Sequence, residues 1–382
     1  MILYAVPILS NVVHVYLEAA LAPLILTVLG DRDSNAISIL YGMSVIGYVV
    51  MSKVSRLIGI KNTMIIVLVL NIISSIVSIN EIIVGRAICG LGATSLLSQS
   101  WMNYVVSDDR AMKSQAFFNV TFYIGWILGA LVAGIASEYM ITYAWTFVNL
   151  VAIGLFVATL IMCIFVHEPA PDTTCKWTCS HRWILELTKP VRAPSIREIA
   201  FRTGHETFNY RSILGLVYCE YVTGMSEGVF YSVFSIYMIE YYHFSNLHVS
   251  FVYAGIAVLA IIINIWMVPK FESCRIAIYM MVVGYACLAL LCTNGFPVFI
   301  TLNLIVKNVE QVIFSVVRVK EQLRIPEVSR VTVMVLPMTM FLVGCVTGIV
   351  GGIALYRNVS IHVVYVVLAT FYATIAFASV YD

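Results

Sequence analysis

Hydrophobic positions along the chain fall into long runs, broken by charged residues and by Gly, Asn and Pro. A helix needs about 20 apolar residues to cross a bilayer. Dividing the chain at its breaks predicts twelve such helices, near 3–29, 37–51, 62–79, 82–105, 115–136, 143–166, 212–238, 249–268, 276–292, 296–317, 331–355 and 361–379. Most connections are short. The stretch 167–211, rich in Lys, Arg, Pro and Thr, is a polar linker between two blocks of six helices, 1–166 and 212–382. The pattern predicts an all-α membrane protein with twelve transmembrane helices in two six-helix halves, embedded in a lipid bilayer.

Composition narrows the function classes. Of 382 residues, 61% are hydrophobic and 11% charged, whereas a soluble domain carries about 25% charged residues. That excludes a soluble globular enzyme. The high apolar fraction, with 22 Gly and 10 Pro scattered along the chain, also excludes a disordered or collagen-like polymer. A formal charge of +2 is too small to suggest nucleic acid as a partner. Cys175 and Cys179 fall in the charged linker, and most of the other seven cysteines fall inside apolar runs. They read as reduced packing residues.

The distribution of basic residues sets the orientation, because short cytosolic loops retain Lys and Arg. With the N-terminus inside, eighteen Lys and Arg fall in inner loops, from Lys53, Arg56 and Lys61 through the linker to Arg318, Lys320, Arg324 and Arg330; the outer loops hold Arg32 and Arg357. Both termini and the linker are then cytosolic. The first apolar run contains His14 and Glu18 and is too long for a signal peptide, so it is read as helix 1. No address signal distinguishes a plasma from an intracellular membrane.

An ionisable group near the bilayer centre costs roughly 2.5 to 3.5 kcal/mol and usually faces a cavity or a partner. Six such groups lie deep: Glu18 in helix 1, Arg86 in helix 4, Glu220 and Glu227 in helix 7, and Lys307 and Glu310 in helix 10. Helices 1, 4, 7 and 10 open four successive three-helix units. In a fold built from such repeats, equivalent positions line one central cavity.

Three stretches carry a resemblance. Arg86-Ala-Ile-Cys-Gly90-Leu-Gly92-Ala93 resembles the R-x-x-x-G-x-G-A pattern of the major facilitator superfamily. Gly125-Trp-Ile-Leu-Gly129-Ala-Leu-Val-Ala-Gly134 is similar to the glycine-rich motif of that family's antiporters, with Ala130 in place of its proline and Ala133 in place of a glycine. Ser52-Lys-Val-Ser-Arg56-Leu-Ile-Gly59-Ile-Lys61 resembles its loop motif at Gly59 and Lys61, while Ser52 and Arg56 depart from it. The resemblance implies two pseudo-symmetric halves of inverted three-helix repeats, helices 1, 4, 7 and 10 around a substrate path, and a proton-coupling role for Arg86. Helix 11 has its own Gly344-x-x-x-Gly348, at the place equivalent to helix 5, and glycines at this spacing suit close helix packing.

Residue spacing refines the candidates. His14 and Glu18, four apart, share a helix face; Glu18 is read either as a proton carrier influenced by Arg86 or as part of a static contact between helices 1 and 4. Glu220 and Glu227 lie two turns apart on helix 7, where they could pass protons or hold a cationic group, unless Glu220 only meets the headgroup region. Lys307 and Glu310 either neutralise each other or leave Lys307 free for an anionic group. Asn303, Asn308 and Gln311 add hydrogen-bonding capacity to helix 10, and Tyr221 and Tyr231 are read as packing. Proton-coupling candidates are therefore Glu18, Arg86 and Glu227; cavity candidates are His14, Glu220, Asn303, Lys307 and Glu310.

The expected function is a monomeric secondary active transporter of a small organic solute working by alternating access, with protons as the coupling ion and no cofactor or metal. Gly224-Met-Ser226-Glu-Gly228 matches a hydrolase pattern that needs a strand-to-helix turn, but it sits within a helix. Cys175-Lys-Trp-Thr-Cys179-Ser-His181 lacks a second zinc ligand pair. No Gly-Lys dipeptide is present, which removes a phosphate-binding loop of the ATPase type. The alternatives are a non-transporting receptor or scaffold of the same fold and an intramembrane serine protease.

Overall fold

The computed structural model describes residues 2–24, 35–105, 111–140, 142–166, 210–270, 274–324 and 330–377. Twelve helical segments cross the bundle among them: α1 (Ile2–Leu24), α2 (Asn35–Ile58), α3 (Ile60–Ser78), α4 (Ile82–Gly92 and Thr94–Val105), α5 (Ala111–Tyr139), α6 (Ala144–Phe165), α7 (Tyr210–Val229, Phe230–Phe234 and Ser235–Glu240), α8 (Asn246–Trp266), α9 (Arg275–Leu291), α10 (Phe296–Arg324), α11 (Arg330–Asn358) and α12 (Ile361–Phe377). Residues 167–209 of the expected linker, including Cys175, Cys179 and His181, lie outside the described residues.

Among the described residues, nine helices are long and apolar enough to span a bilayer by themselves. The other three have identifiable reasons for falling short. Helices α9 and α12 are 17 residues long, and the first piece of α7 carries Arg211, Glu220 and Glu227 before a π-helical turn at Phe230–Phe234. Two predicted ends are too early: α2 continues past 51 to Ile58, and α10 continues past 317 to Arg324. The second extension corrects a sequence assignment. Arg318, expected in an inner loop, lies inside α10 and is 2% exposed.

Glycines set the closest helix contacts. A Cβ on Gly125 or Gly129 of α5 would lie 2.4 Å from the carbonyl oxygen of Val12 and 2.2 Å from that of Tyr16 on α1. Removing the side chain lets the two backbones approach to this distance. In the other half the arrangement is reciprocal: Gly224 and Gly228 of α7 face the carbonyls of Phe341 and Cys345 on α11, while Gly344 and Gly348 of α11 face those of Tyr221 and Met225 on α7. Gly90 of α4 packs in the same way on the Leu40 carbonyl of α2, whereas Gly134 of α5 lies against the side chain of Ser250 on α8.

Between its two pieces α4 is interrupted at Ala93, whose φ of 51° is left-handed. Gly92 immediately before the break lies against Asn71 of α3, and the Asn71 amide donates to Thr94 Oγ1 at 2.7 Å immediately after it. At the α2–α3 connection Gly59 takes a φ of 87°, and Lys61 Nζ donates to the Ile164 carbonyl at the end of α6, 3.0 Å away. That bond satisfies one of the carbonyls left free at a helix C-terminus.

The halves meet along α5–α8 and α2–α11. Each lends a helix to the other's apolar core: Tyr123, Trp126 and Ala130 of α5 join the cluster centred on α7–α10, whereas Met338, Leu342 and Ile349 of α11 join the cluster of α1–α6. Large apolar side chains are left exposed around the perimeter, such as Leu150 and Ile161 on α6 and Val283 and Leu290 on α9. Water would penalise such surfaces, and hydrocarbon does not.

Candidate functional site

A cavity of about 910 Å³, measured out to its open mouth, lies between the halves. Helices α1, α2, α4 and α5 border it from one half, and α7, α10 and α11 from the other. Its mid-bundle part carries His14, Glu18 and Glu227 together with Tyr41 and Tyr231, while Gln99, Gln115, Asn119 and Arg318 border the part nearer the α2–α3 connection. Tyr231 was expected only to pack.

On α1 the four-residue spacing brings His14 Nε2 to 3.2 Å from Glu18 Oε1, and His14 Nδ1 lies 3.9 Å from Cys89 Sγ on α4. Arg86 is 2% exposed, in the second turn of α4. Its Nη2 donates to the Leu17 carbonyl at 2.7 Å and its guanidinium lies 5.0 Å from the centre of the Trp145 ring. The arginine thus ties α4 to the backbone of α1 one residue before Glu18. It is not among the residues that border the cavity.

The C-terminal half gathers five charged side chains into two groups. Lys307 Nζ lies 2.5 Å from Glu227 Oε2 and 2.5 Å from Glu310 Oε2, with the Phe230 ring 4.4 Å away. Tyr372 donates to the other oxygen of Glu310 at 3.3 Å. Closer to the α2–α3 end, Arg318 meets Glu220 through Nε to Oε1 at 2.7 Å and Nη2 to Oε2 at 2.9 Å, and its guanidinium lies 4.9 Å from the Phe314 ring. Both groups are almost fully buried. The π-helical turn begins three residues after Glu227, placing Phe230 against Lys307 and Tyr231 at the cavity. Such turns recur at functional sites.

Several candidates are set back from the cavity. Glu220 is not at a headgroup surface but closed on Arg318; Lys307 and Glu310 stand behind Glu227; Asn303 donates to the Phe299 carbonyl of its own helix. Of the five cavity candidates, His14 alone borders it. Ser226 contacts the Tyr285 hydroxyl inside the C-terminal half.

A chain of amides was not anticipated. Gln99 of α4 donates to Gln115 of α5 at 3.1 Å, Gln115 to Asn119 at 3.0 Å, and Asn119 crosses to the other half, reaching Asn264 of α8 at 3.1 Å and Ser315 of α10 at 2.7 Å. The signal available in the sequence was the set of amides in otherwise apolar runs. Uncharged residues give no topological signature.

Comparison with known proteins places this geometry. The model of the family described as Major Facilitator Superfamily matches residues 8–348. An MFS-type transporter, thnB, of Trichoderma harzianum is 36% identical over 98 residues, which is 25% of this chain and 16% of that protein's length. The human organic anion transporter MFSD10 superposes with a TM-score of 0.74 at 15% identity, over 99% of this chain and 98% of that one. The proton:xylose symporter XylE bound to 6-bromo-6-deoxy-D-glucose superposes with a TM-score of 0.69 at 15% identity, over 98% and 94%. At this identity the two structures speak for the fold.

Proposed function

The chain belongs to the Major Facilitator Superfamily, and we propose that it is a secondary active transporter moving a small organic solute by alternating access, driven by protons. The observation that carries this reading is the cavity itself, which is bordered by both halves and has one carboxylate from each, Glu18 and Glu227, on its wall. A cavity at the interface of two bodies is exposed to alternate sides when they rock. The moving bodies are 1–166 and 212–382, with a cytosolic linker and both termini on the cytosolic side.

A carboxylate that borders water within a membrane can take up and release a proton as its surroundings change. Glu227 is held by Lys307 and Glu18 by His14, so each has a partner that protonation of the acid would release. Arg86 acts through α1, holding Leu17 and with it the register of Glu18.

The test is reconstitution in proteoliposomes with a solute found by ligand-dependent thermal stabilisation across a metabolite panel. An imposed pH gradient is expected to drive uphill accumulation. Glu18→Gln abolishes that accumulation while leaving solute exchange intact, and Glu227→Gln abolishes accumulation as well. Unchanged accumulation in both variants removes these carboxylates from the mechanism.

A further inference from the structure

The charges around the cavity are unevenly placed. The carboxylates of Glu18 and Glu227 border it, Glu18 paired with His14 on the same wall, whereas Lys307 and Arg86 lie behind the wall. Arg318 borders it too, but both oxygens of Glu220 face its guanidinium. Lys307 is shared between two acids, so that group carries one negative charge in excess with both carboxylates ionised.

Two further features point the same way. Aromatic rings from both halves, among them Tyr41, Phe122, Tyr231 and Phe341, border the cavity, and aromatic faces attract cations. Four cavity-bordering residues also hold buried polar atoms without a hydrogen-bond partner among the described residues: Asn11 Oδ1, Thr223 Oγ1, the Tyr231 hydroxyl and Arg318 Nη1, the last beside Glu220; of these the Asn11 oxygen alone cannot donate. The amide nitrogen of Asn11 is used, donating to Thr121. Its oxygen can only accept, and a buried acceptor left unpaired in the protein calls for a donor from elsewhere.

We infer that the solute is an organic monocation, a protonated amine on an apolar or aromatic body, with its N–H donors directed to Glu227 and Asn11. The inference rests on the transport reading of the cavity but is narrower than it. An organic anion, as in the name of the MFSD10 neighbour, would meet Glu227, whose group carries the excess negative charge, and be repelled.

Three probes of nearly one shape test this: phenethylamine, phenethyl alcohol and phenylacetate, measured for binding to the full chain in lipid nanodiscs. The amine is expected to bind at least about tenfold more tightly than the other two, the scale of a desolvated cation–carboxylate contact. Glu227→Gln removes that preference, bringing the amine's affinity down to that of the alcohol. Phenylacetate binding as tightly as the amine, or no binding of the amine, overturns the proposal. So does an amine preference that survives Glu227→Gln. If Glu227→Gln does not fold, the ranking of the three probes on the unaltered chain still decides. Amine binding without counterflow in proteoliposomes would sustain the cation site while overturning transport; counterflow without charge preference would do the reverse.

Discussion

The two halves solve the same two problems by different means. In the N-terminal half the charge inside the membrane is met by one pair within α1, His14 and Glu18, and by a backbone carbonyl that receives Arg86. In the C-terminal half five charged side chains pair with one another across α7 and α10. The helix contacts differ in the same sense: α5 brings glycines to α1 from one side, while α7 and α11 bring them to each other. The C-terminal half is thus locked by side-chain pairs and reciprocal close contacts, and the N-terminal half by the main chain.

The largest effect expected from this contrast is at Glu220 and Arg318. Removing one member of a buried pair strands the other charge, at a cost of about 3–5 kcal/mol. Arg318→Gln should therefore lower the thermal unfolding temperature of the detergent-solubilised chain sharply, and Glu220→Leu combined with Arg318→Met should restore most of it. Arg86→Gln loses a charged bond to a carbonyl, about 1.5–3 kcal/mol, and has no stranded carboxylate to add. Equal losses for Arg318→Gln and Arg86→Gln would break the distinction between side-chain and main-chain neutralisation.

Glycine substitutions come next. An added methyl would lie 2.1 Å from the Tyr221 carbonyl at Gly344 and 2.2 Å from the Tyr16 carbonyl at Gly129. Neither neighbour is a flexible side chain, and overpacking of this kind costs about 1–3 kcal/mol. Gly224→Ala with Gly344→Ala should cost less than the sum of the two, because either one already separates α7 from α11. A cost equal to the sum would mean that the two helices yield independently at the two sites. Gly351→Ala, where nothing lies within 4 Å of the new methyl, serves as the control and should be neutral or slightly stabilising.

Much of this architecture was legible in the residues. Runs of apolar residues located the twelve helices because a bilayer penalises polar backbone and side chains strongly enough to leave a composition signal. The same penalty made Glu18, Arg86, Glu227 and Lys307 conspicuous. Arg318 escaped because it lies near a helix end, where a basic residue also fits a loop; its pairing with Glu220 depends on how α7 and α10 face each other. Which acids reach the cavity was equally out of reach, since Glu227 and Glu310 contact the same lysine and differ only in which of them borders the opening. The Asn119 bridge needs the relative placement of three helices from two halves.

The smallest effects belong to the polar contacts at the surface, and here the halves should behave alike. Lys61 reaches the Ile164 carbonyl in one half, and Arg357 pairs with Glu240 at 2.9 Å in the other, with both side chains more than a third exposed. Exposed contacts of this kind contribute about 0–1 kcal/mol, so Lys61→Ala and Arg357→Ala should each leave the unfolding temperature nearly unchanged. Gly59 is a different matter although it stands two residues from Lys61. Its φ of 87° lies where a side chain costs about 1–2 kcal/mol. Gly59→Ala should therefore destabilise more than Lys61→Ala, and the reverse order would mean that the charge of this connection, and not its backbone shape, holds α2 and α3 in place.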